Sequence, residues 1–270
     1  MDREPDPNGI MTDSSIDALI LRLDAPLMSF GAPIVDQNGV IQPYPALSMM
    51  TGLLANALGF DHSEFDRLER LQERLRYGSR QDRKGRRIED YQTVDLSKPY
   101  MDDDRAWTTR GSLEKRKGGS ASSGTHIRRR DYWADAVHTV AVTLDPLDDE
   151  PTIDDLERAV QHPARPLFIG RKPCLPAAPL FVQRLRARTL RDALARAPLA
   201  ERSTGRRLTA WWPTNPEDDG PSRDEAGTEE RKKPVTDRRD WANQIHVGQR
   251  WIARGTLTVD TESSTASTNE

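Results

Sequence analysis

The stretch from residue 82 to residue 130 constrains this chain more than any other. It is rich in charge and poor in aliphatic side chains, and it interrupts segments on both sides that are patterned for burial. So long an insertion cannot bury itself. It is expected to project from a folded body, where loops of this size are functional or disordered. Within it, IEDYQTVD (88–95) and THIRRRDYW (125–133) have the composition of a strand going out and a strand returning. The run Gly118–Gly124, GGSASSG, is a flexible tip by composition.

The flanking segments define the body. ALILRLD (18–24) places Leu19, Leu21 and Leu23 on one face of a strand, with Ile20 on the other face beside Arg22. Pro26, Gly31 and Pro33 then call for a loop. Residues 45–58 read as a helix, with Pro45 in its first turn, a stripe of Leu47, Met50, Leu54 and Leu58, and Gly59 as its C-terminal cap. A second helix is expected over 63–73, capped by Ser63 and burying Phe65, Leu68 and Leu71. Residues 74–81 fit either the end of that helix or a strand, and Tyr77 and Gly78 favour the strand. VHTVAVTL (137–144) is a strand, and 152–161 is a helix with a capping box between Thr152 and Asp155. RPLFIGRKPC (165–174) reads as a short strand entering a basic glycine loop.

Without the insertion the order is β–α–(α)–β–β–α–β. That is the α+β, ferredoxin-like (RRM-like) βαββαβ pattern, with two helices on one face of the sheet and the other face open, as in many RNA binders. The expected organisation is a tail over 1–16, a body over 17–180 with the insertion 82–130, a smaller β-rich lobe over 181–259 and a tail over 260–270. In that lobe 180–198 mixes a strand and a helix, 214–234 is a mobile acidic loop, and 241–259 forms a hairpin.

Charge is segregated along the chain. Residues 1–17, 214–230 and 260–270 carry −4, −6 and −3, so a chain of net −3 has a remainder of +10. A basic body with acidic flanks points to a polyanionic partner, or to a solvated arginine-rich surface. Residues 105–130 alone carry +7, from Arg105, Arg110, Lys115, Arg116, Lys117, Arg128, Arg129 and Arg130 against Glu114. Trp107, His126, Tyr132 and Trp133 are interleaved or adjacent. Cations neutralise phosphates and aromatic faces stack on unpaired bases, so this cluster on a Gly/Ser-hinged arm favours RNA or DNA contact.

Several chemistries find no support in the motifs. Cys174 is the only cysteine, which excludes an internal disulfide and a thiolate metal cluster. The five histidines show no HExxH or HxH spacing, and Asp102–Asp103–Asp104 reads as a solvated turn rather than a Mg²⁺ site. No GxxxxGK[ST], GxGxxG or GxSxG occurs, so no nucleotide cofactor and no metal are expected. No window approaches a membrane span, and the acidic start lacks an apolar signal core, so a cytoplasmic protein is expected. Gly170–Arg171–Lys172 offers a glycine turn and two cations for a phosphate, or an ordinary turn. Phe30 in Ser29–Phe30–Gly31 fits base stacking or the core. Metal-free RNA cleavage needs a base and an acid or cation, which His126, Lys115–Lys117 and Tyr44 offer in kind. RNA contact without chemistry is the preferred alternative.

Five blocks recur in a known order: LRLDAPLMSFG (21–31), GLLANALGF (52–60), EDYQTVD (89–95), RRDYWADAVHTVAVTL (129–144) and LERAVQHPARPLFIGRKPCLPAAPLF (156–181). Together they resemble the CasD family of type I-E CRISPR Cascade, within the RAMP superfamily. Gln249–Gly255 matches a late element of that family more loosely. The resemblance implies a ferredoxin-like body with a projecting thumb, here 82–130. It implies a non-catalytic subunit that caps the 5′ handle of crRNA, contacts the backbone and large subunits of Cascade, and meets target DNA only through the guide. A related type I-C subunit cuts repeat RNA, which keeps a metal-independent endoribonuclease as the alternative. The residues implied in RNA contact are Arg110, Lys115, Arg116, Lys117, His126, Arg128, Arg129 and Arg130 on the thumb. Tyr91, Gln92 and Thr93 are placed at its base, and Ser29, Phe30, Gly31, Ser48, Gly170, Arg171 and Lys172 on the body. The chain departs from the family at the first helix, where Leu47 replaces a basic residue and Met49 a glycine. It departs again at Phe30, where Trp is common.

Overall fold

The structure is a computed structural model that describes residues 15–32, 38–95, 105–107, 113–115, 125–215, 217 and 230–259. Its elements in chain order begin with β1 (Ile16–Asp24), β2 (Leu27–Met28), β3 (Asn38–Gly39), α1 (Leu47–Leu58), α2 (Phe65–Arg74), β4 (Leu75–Arg83) and β5 (Arg86–Asp95). They continue with β6 (Arg105–Trp107), β7 (Leu113–Lys115), β8 (Thr125–Ala134), β9 (Val137–Leu144), α3 (Ile153–Gln161), β10 (Phe181–Ala187) and α4 (Leu190–Arg196). The last are β11 (Arg207–Pro213), β12 (Arg231–Val235), β13 (Arg238–Asp240), β14 (Ile245–Val247) and β15 (Arg250–Thr258).

The alternation of β1 sets the architecture. Leu19, Leu21 and Leu23 enter one core with Val140 and Val142 of β9, while Ala18 and Ile20 enter a second core on the opposite face. Each fully buried leucine contributes about 1.5–3 kcal/mol, so both faces drive folding. The strands form one seven-stranded sheet in the order β10-β1-β9-β4-β11-β15-β12. All six strand pairings in it are antiparallel. The fold is therefore mixed α+β with a large antiparallel sheet.

The helices α1, α2 and α3 pack on the first face. Met50 and Leu54 of α1 are fully buried, and Gly59 takes φ +81° as the left-handed C-cap, where a side chain is strained. The capping box of α3 forms as expected, with Thr152 and Asp155 satisfying each other's backbone N–H. Ser63 does not cap α2. Glu64 takes that position and its carboxylate accepts from Asp61 N at 2.5 Å.

Five further expectations change. The second face is not open, because α4 lies across it and buries Leu190, Ala193 and Leu194 against Ile20, Ala141 and Trp212. Residues 165–174 form no strand, because Pro166 and Pro173 lack ladder donors and Gly170 turns at φ +98°. The strand that closes this edge is β10 instead. The expected C-terminal lobe is not a second sheet, because β11, β15 and β12 continue the first. The end of the expected acidic loop, RKKPV, is strand β12, and the expected 241–259 hairpin splits: β14 pairs back on β13 while β15 enters between β11 and β12.

The second face also holds an ionic cluster. Arg80 is fully buried, and its Nε donates to Asp82 Oδ1 at 2.6 Å. Its Nη1 and Nη2 donate to the carbonyls of Leu194, Ala197 and Pro198 at the C-terminal end of α4, where a cation is favoured. Asp82 also accepts from Arg22 Nη1 and Thr139 Oγ1, both at 2.7 Å. With every polar group partnered, the cluster ties α4 to the sheet.

Candidate nucleic-acid interface

The insertion is built on a hairpin. Ten residues of β5 pair with ten of β8, from Arg86 opposite Ala134 to Asp95 opposite Thr125. Where the hairpin meets the body, β2 and β3 pair with the other side of β8, at Trp133–Ala134 and at Arg129–Arg130. Three strands therefore fix the base of β8. Trp133 Nε1 donates to Gln42 O at 2.7 Å, and Tyr132 is buried in the main core.

Strand alternation divides the basic run. Arg129 shares a face with Tyr91 directly opposite, and its guanidinium lies 5.6 Å from the ring centroid. Arg128 and Arg130 point to the other face with Gln92 and Asp90. All three arginines are exposed, and Tyr91 is 51% exposed. Gln92 Nε2 donates to Asp90 Oδ2 at 2.6 Å. Thr93 and His126 are placed by the β5–β8 register, opposite Ile127 and Val94, and Lys115 ends β7, which pairs with β6. Arg110, Arg116 and Lys117, with Asp102–Asp104 and the 118–124 tip, lie outside the described residues.

The loops below the hairpin converge on Gly170. Its positive φ brings it against the backbone of Ser29, so closely that a Cβ there would overlap Ser29 O. Ser29 N donates to Ile169 O at 3.0 Å, and Gly31 bridges to Ile41. Arg171 donates to Asp131 O at 2.8 Å and to Gly39 O at 3.0 Å, with its guanidinium 4.9 Å from the Tyr132 centroid. Its cation thus joins β3, β8 and the glycine loop, bracing the hairpin base. Lys172 beside it is exposed.

Phe30 departs from the stacking expectation. It is 0% exposed and meets His138 edge-to-face at 4.9 Å, so no base reaches its ring. Ser29, at 2% exposed, is likewise interior. His138 is held neutral, its pKa pushed down to about 4 by burial, while Ser79 Oγ lies 3.0 Å from its Nδ1. Tyr44 is 1% exposed, and burial pushes its pKa up to about 12, which disfavours its use as a proton donor or acceptor on an external ribose.

Two residues outside the expected RNA-contact set organise the start of α1. Ala46 offers no capping side chain, so Asp237 supplies one from 190 residues away: Leu47 N donates to its Oδ2 at 3.0 Å. Ser48 N donates to Asp237 O at 3.0 Å. Arg250 grips the same carboxylate with two bonds of 2.7 Å and donates to Tyr77 Oη at 2.6 Å. Ser48 Oγ faces His246 Nε2 at 3.5 Å, and burial, then the nearby Arg239, hold His246 below the usual histidine range. A buried carboxylate therefore occupies the position where a helix N-terminus would otherwise receive an anion.

Among the described residues no cluster of His, Cys, Asp and Glu is arranged to hold a metal ion, and no helix is long and apolar enough to cross a membrane. Cys174 is buried, and burial pushes its thiol up.

Comparison with known proteins agrees with this architecture. The chain is 30% identical over 178 residues to the CRISPR system Cascade subunit CasD of Escherichia coli K12, covering 65% of this chain and 75% of that protein. A chain of a CRISPR RNA-guided surveillance complex matches with a TM-score of 0.61, at 24% identity and over 90% of both chains. The crystal structure of a Cas protein matches with a TM-score of 0.52, at 22% identity, over 89% of this chain and 95% of the other. The family model described as CRISPR-associated protein (Cas_Cas5) spans residues 18–253, nearly the whole of the described sheet, and by that match this chain belongs to the Cas5 family.

Proposed function

We propose that this chain is a non-catalytic subunit of a CRISPR Cascade surveillance complex of type I-E character, and that it binds and caps the 5′ handle of crRNA. The observation that carries this reading is the braced hairpin β5–β8, with Arg128, Arg129 and Arg130 exposed on it, in a member of the Cas5 family. Guanidinium groups on both faces of the braced hairpin suit a grip on an unpaired sugar-phosphate strand. Arg110, Lys115, Arg116, Lys117 and His126 extend the same role toward the tip. Tyr91, Gln92 and Thr93 stand at the base of the arm, and Gly31, Ser48 and Lys172 are the body contacts. Gly170 and Arg171 act by holding the base of the arm.

We read the body as ferredoxin-like. The elements β1–α1–β4–β9–α3–β10 follow a βαββαβ sequence, and their strands stand in the order β10-β1-β9-β4. The body so read extends the expected unit 17–180 through β10 to Ala187, with the thumb 82–130 inserted in it. The backbone and large subunits of the complex are the protein partners, target DNA is met through the guide, and the assembly works in the cytoplasm.

The test is binding of a labelled single-stranded handle RNA by the full chain across a salt series. Substituting Arg128, Arg129 and Arg130 by Gln is expected to weaken binding at least tenfold and to flatten its salt dependence. Unchanged affinity would remove the arm from the interface. The rival reading, a metal-independent endoribonuclease, is disfavoured by the burial of Tyr44. Cleavage of repeat RNA in EDTA that is lost on His126→Ala would establish it.

A further inference from the structure

The strands β11, β15 and β12 carry a second basic surface, away from the thumb. Strand alternation places Arg250, Ile252 and Arg254 of β15 on one face, with Arg231, Lys233 and Val235 of β12 opposite them. Trp211 of β11 stands opposite Arg254 on the other side. Ile252, Val235, Trp211 and Tyr44 form a small buried cluster that makes the floor. Above it Arg231, Lys233 and Arg254 are exposed. The Arg254 guanidinium lies 5.9 Å from the Trp211 centroid and the Lys233 ammonium 5.2 Å from the Tyr44 centroid, so both cations are held on aromatic faces.

Arg231 and Arg254 are direct cross-strand partners, which sets two like charges about 5 Å apart at their Cβ atoms. Such a pairing is unfavourable by itself. No carboxylate among the described residues pairs with Arg231, Lys233 or Arg254. Asp237 is committed to Arg250 and α1, and Glu230 pairs with Arg191 at 2.9 Å on the opposite face. Three exposed cations with no carboxylate partner among the described residues, on one strand surface, are the complement of a polyanion. The surface also adjoins the thumb base. Gln42 accepts from Trp133 of β8, and Tyr44, two residues on, lies under Lys233, so the two are within about 7 Å of chain.

We infer that Arg231, Lys233 and Arg254 form a second phosphate-gripping surface, which takes the backbone of the same single-stranded RNA as it leaves the thumb base. This rests on the RNA-binding reading above. It adds a site on the sheet that reads no base, because Trp211 and Tyr44 are buried beneath the cations and unavailable for stacking.

The experiment is fluorescence anisotropy of the full chain with a labelled single-stranded RNA, over a series of salt concentrations. The triple variant R231Q, K233Q, R254Q is compared with wild type and with the hairpin variant R128Q, R129Q, R130Q. The triple variant is expected to bind about tenfold more weakly near 0.15 M salt, and the slope of log K against log salt is expected to fall by about 2. Its thermal midpoint is expected at or above that of wild type, because a like-charge pair is removed. Should the triple variant unfold, Lys233→Glu, on the exposed edge strand, carries the same readout. Wild-type binding with an unchanged triple variant overturns this inference and leaves the thumb reading standing. Loss in the triple variant alone, with the hairpin variant unaffected, supports the sheet surface and overturns the thumb assignment. A wild-type chain that binds no RNA overturns both. Unchanged RNA binding with loss of co-purifying protein subunits assigns the surface to an acidic protein partner and overturns the inference.

Discussion

Removing the carboxylate of Asp237 tests whether distant parts of the chain hold each other in place. It is 1% exposed, it accepts from Leu47 N at the start of α1, and it pairs with Arg250 through two bonds of 2.7 Å. Asp237→Ala leaves the largely buried Arg250 cation without its partner, which costs about 3–5 kcal/mol, and loss of the cap adds about 1 kcal/mol. Relaxation toward Tyr77 recovers part of this, so the expected loss is about 4 kcal/mol. For a chain of this size that lowers Tm by about 8–16 °C. Arg250→Met is expected to cost less, because the positive end of α1 still faces the carboxylate. The double variant removes both charges and is expected to lose only about 1–2 kcal/mol, less than Asp237→Ala alone. Urea unfolding at pH 7, read at equilibrium for the wild type and the three variants, gives all the terms. Single losses below about 1 kcal/mol that simply add in the double variant would refute the reasoning.

Two further perturbations probe the loops and the core. Gly170→Ala is expected to destabilise by at least about 2 kcal/mol and to displace Ser29, because φ is +98° and the new Cβ meets Ser29 O. Gly31→Ala meets nothing within 4 Å and is expected to stay within about 0.5 kcal/mol, so equal effects in a thermal melt would contradict the packing described. His138 is neutral in the fold, with its pKa lowered to about 4, and takes up a proton in the unfolded chain near the usual histidine value of 6.5. Its contribution is thus fully present above about pH 6.5 and is lost as pH falls toward about 4, by on the order of 3 kcal/mol. His138→Gln is expected to flatten the acid limb of a urea-midpoint profile, and an unchanged limb would locate the acid sensitivity elsewhere.

Much of the body is legible in the chain because its signals are local. Leu19, Leu21 and Leu23 announce a half-buried strand, Thr152 and Asp155 announce a helix start, and the segments 88–95 and 125–133 announce each other across a polar tip. What stays hidden depends on partners far away in sequence. Arg80 in a strand reads as solvent-facing, and only Asp82 together with the carbonyls at the end of α4 makes its burial tolerable. RKKPV reads as loop because its apolar content is a single Val235, and its strand character comes from pairing with β15. Phe30 looks available for stacking until His138, more than a hundred residues on, closes over its edge. At the site, the three consecutive arginines are evident, but their division between two faces follows only from the register of β8.

The cap on α1 has a consequence for how the chain is made. Leu47 and Asp237 are 190 residues apart. A ribosome adding about 5–20 residues per second needs roughly 10–40 s to cover that distance. For that interval the nascent helix starts without its carboxylate cap, and for most of it β4 waits without its neighbour β11. Until its last third is synthesised, the growing polypeptide presents an unfinished sheet margin, a period in which a chaperone or an early-binding guide strand has something to shield.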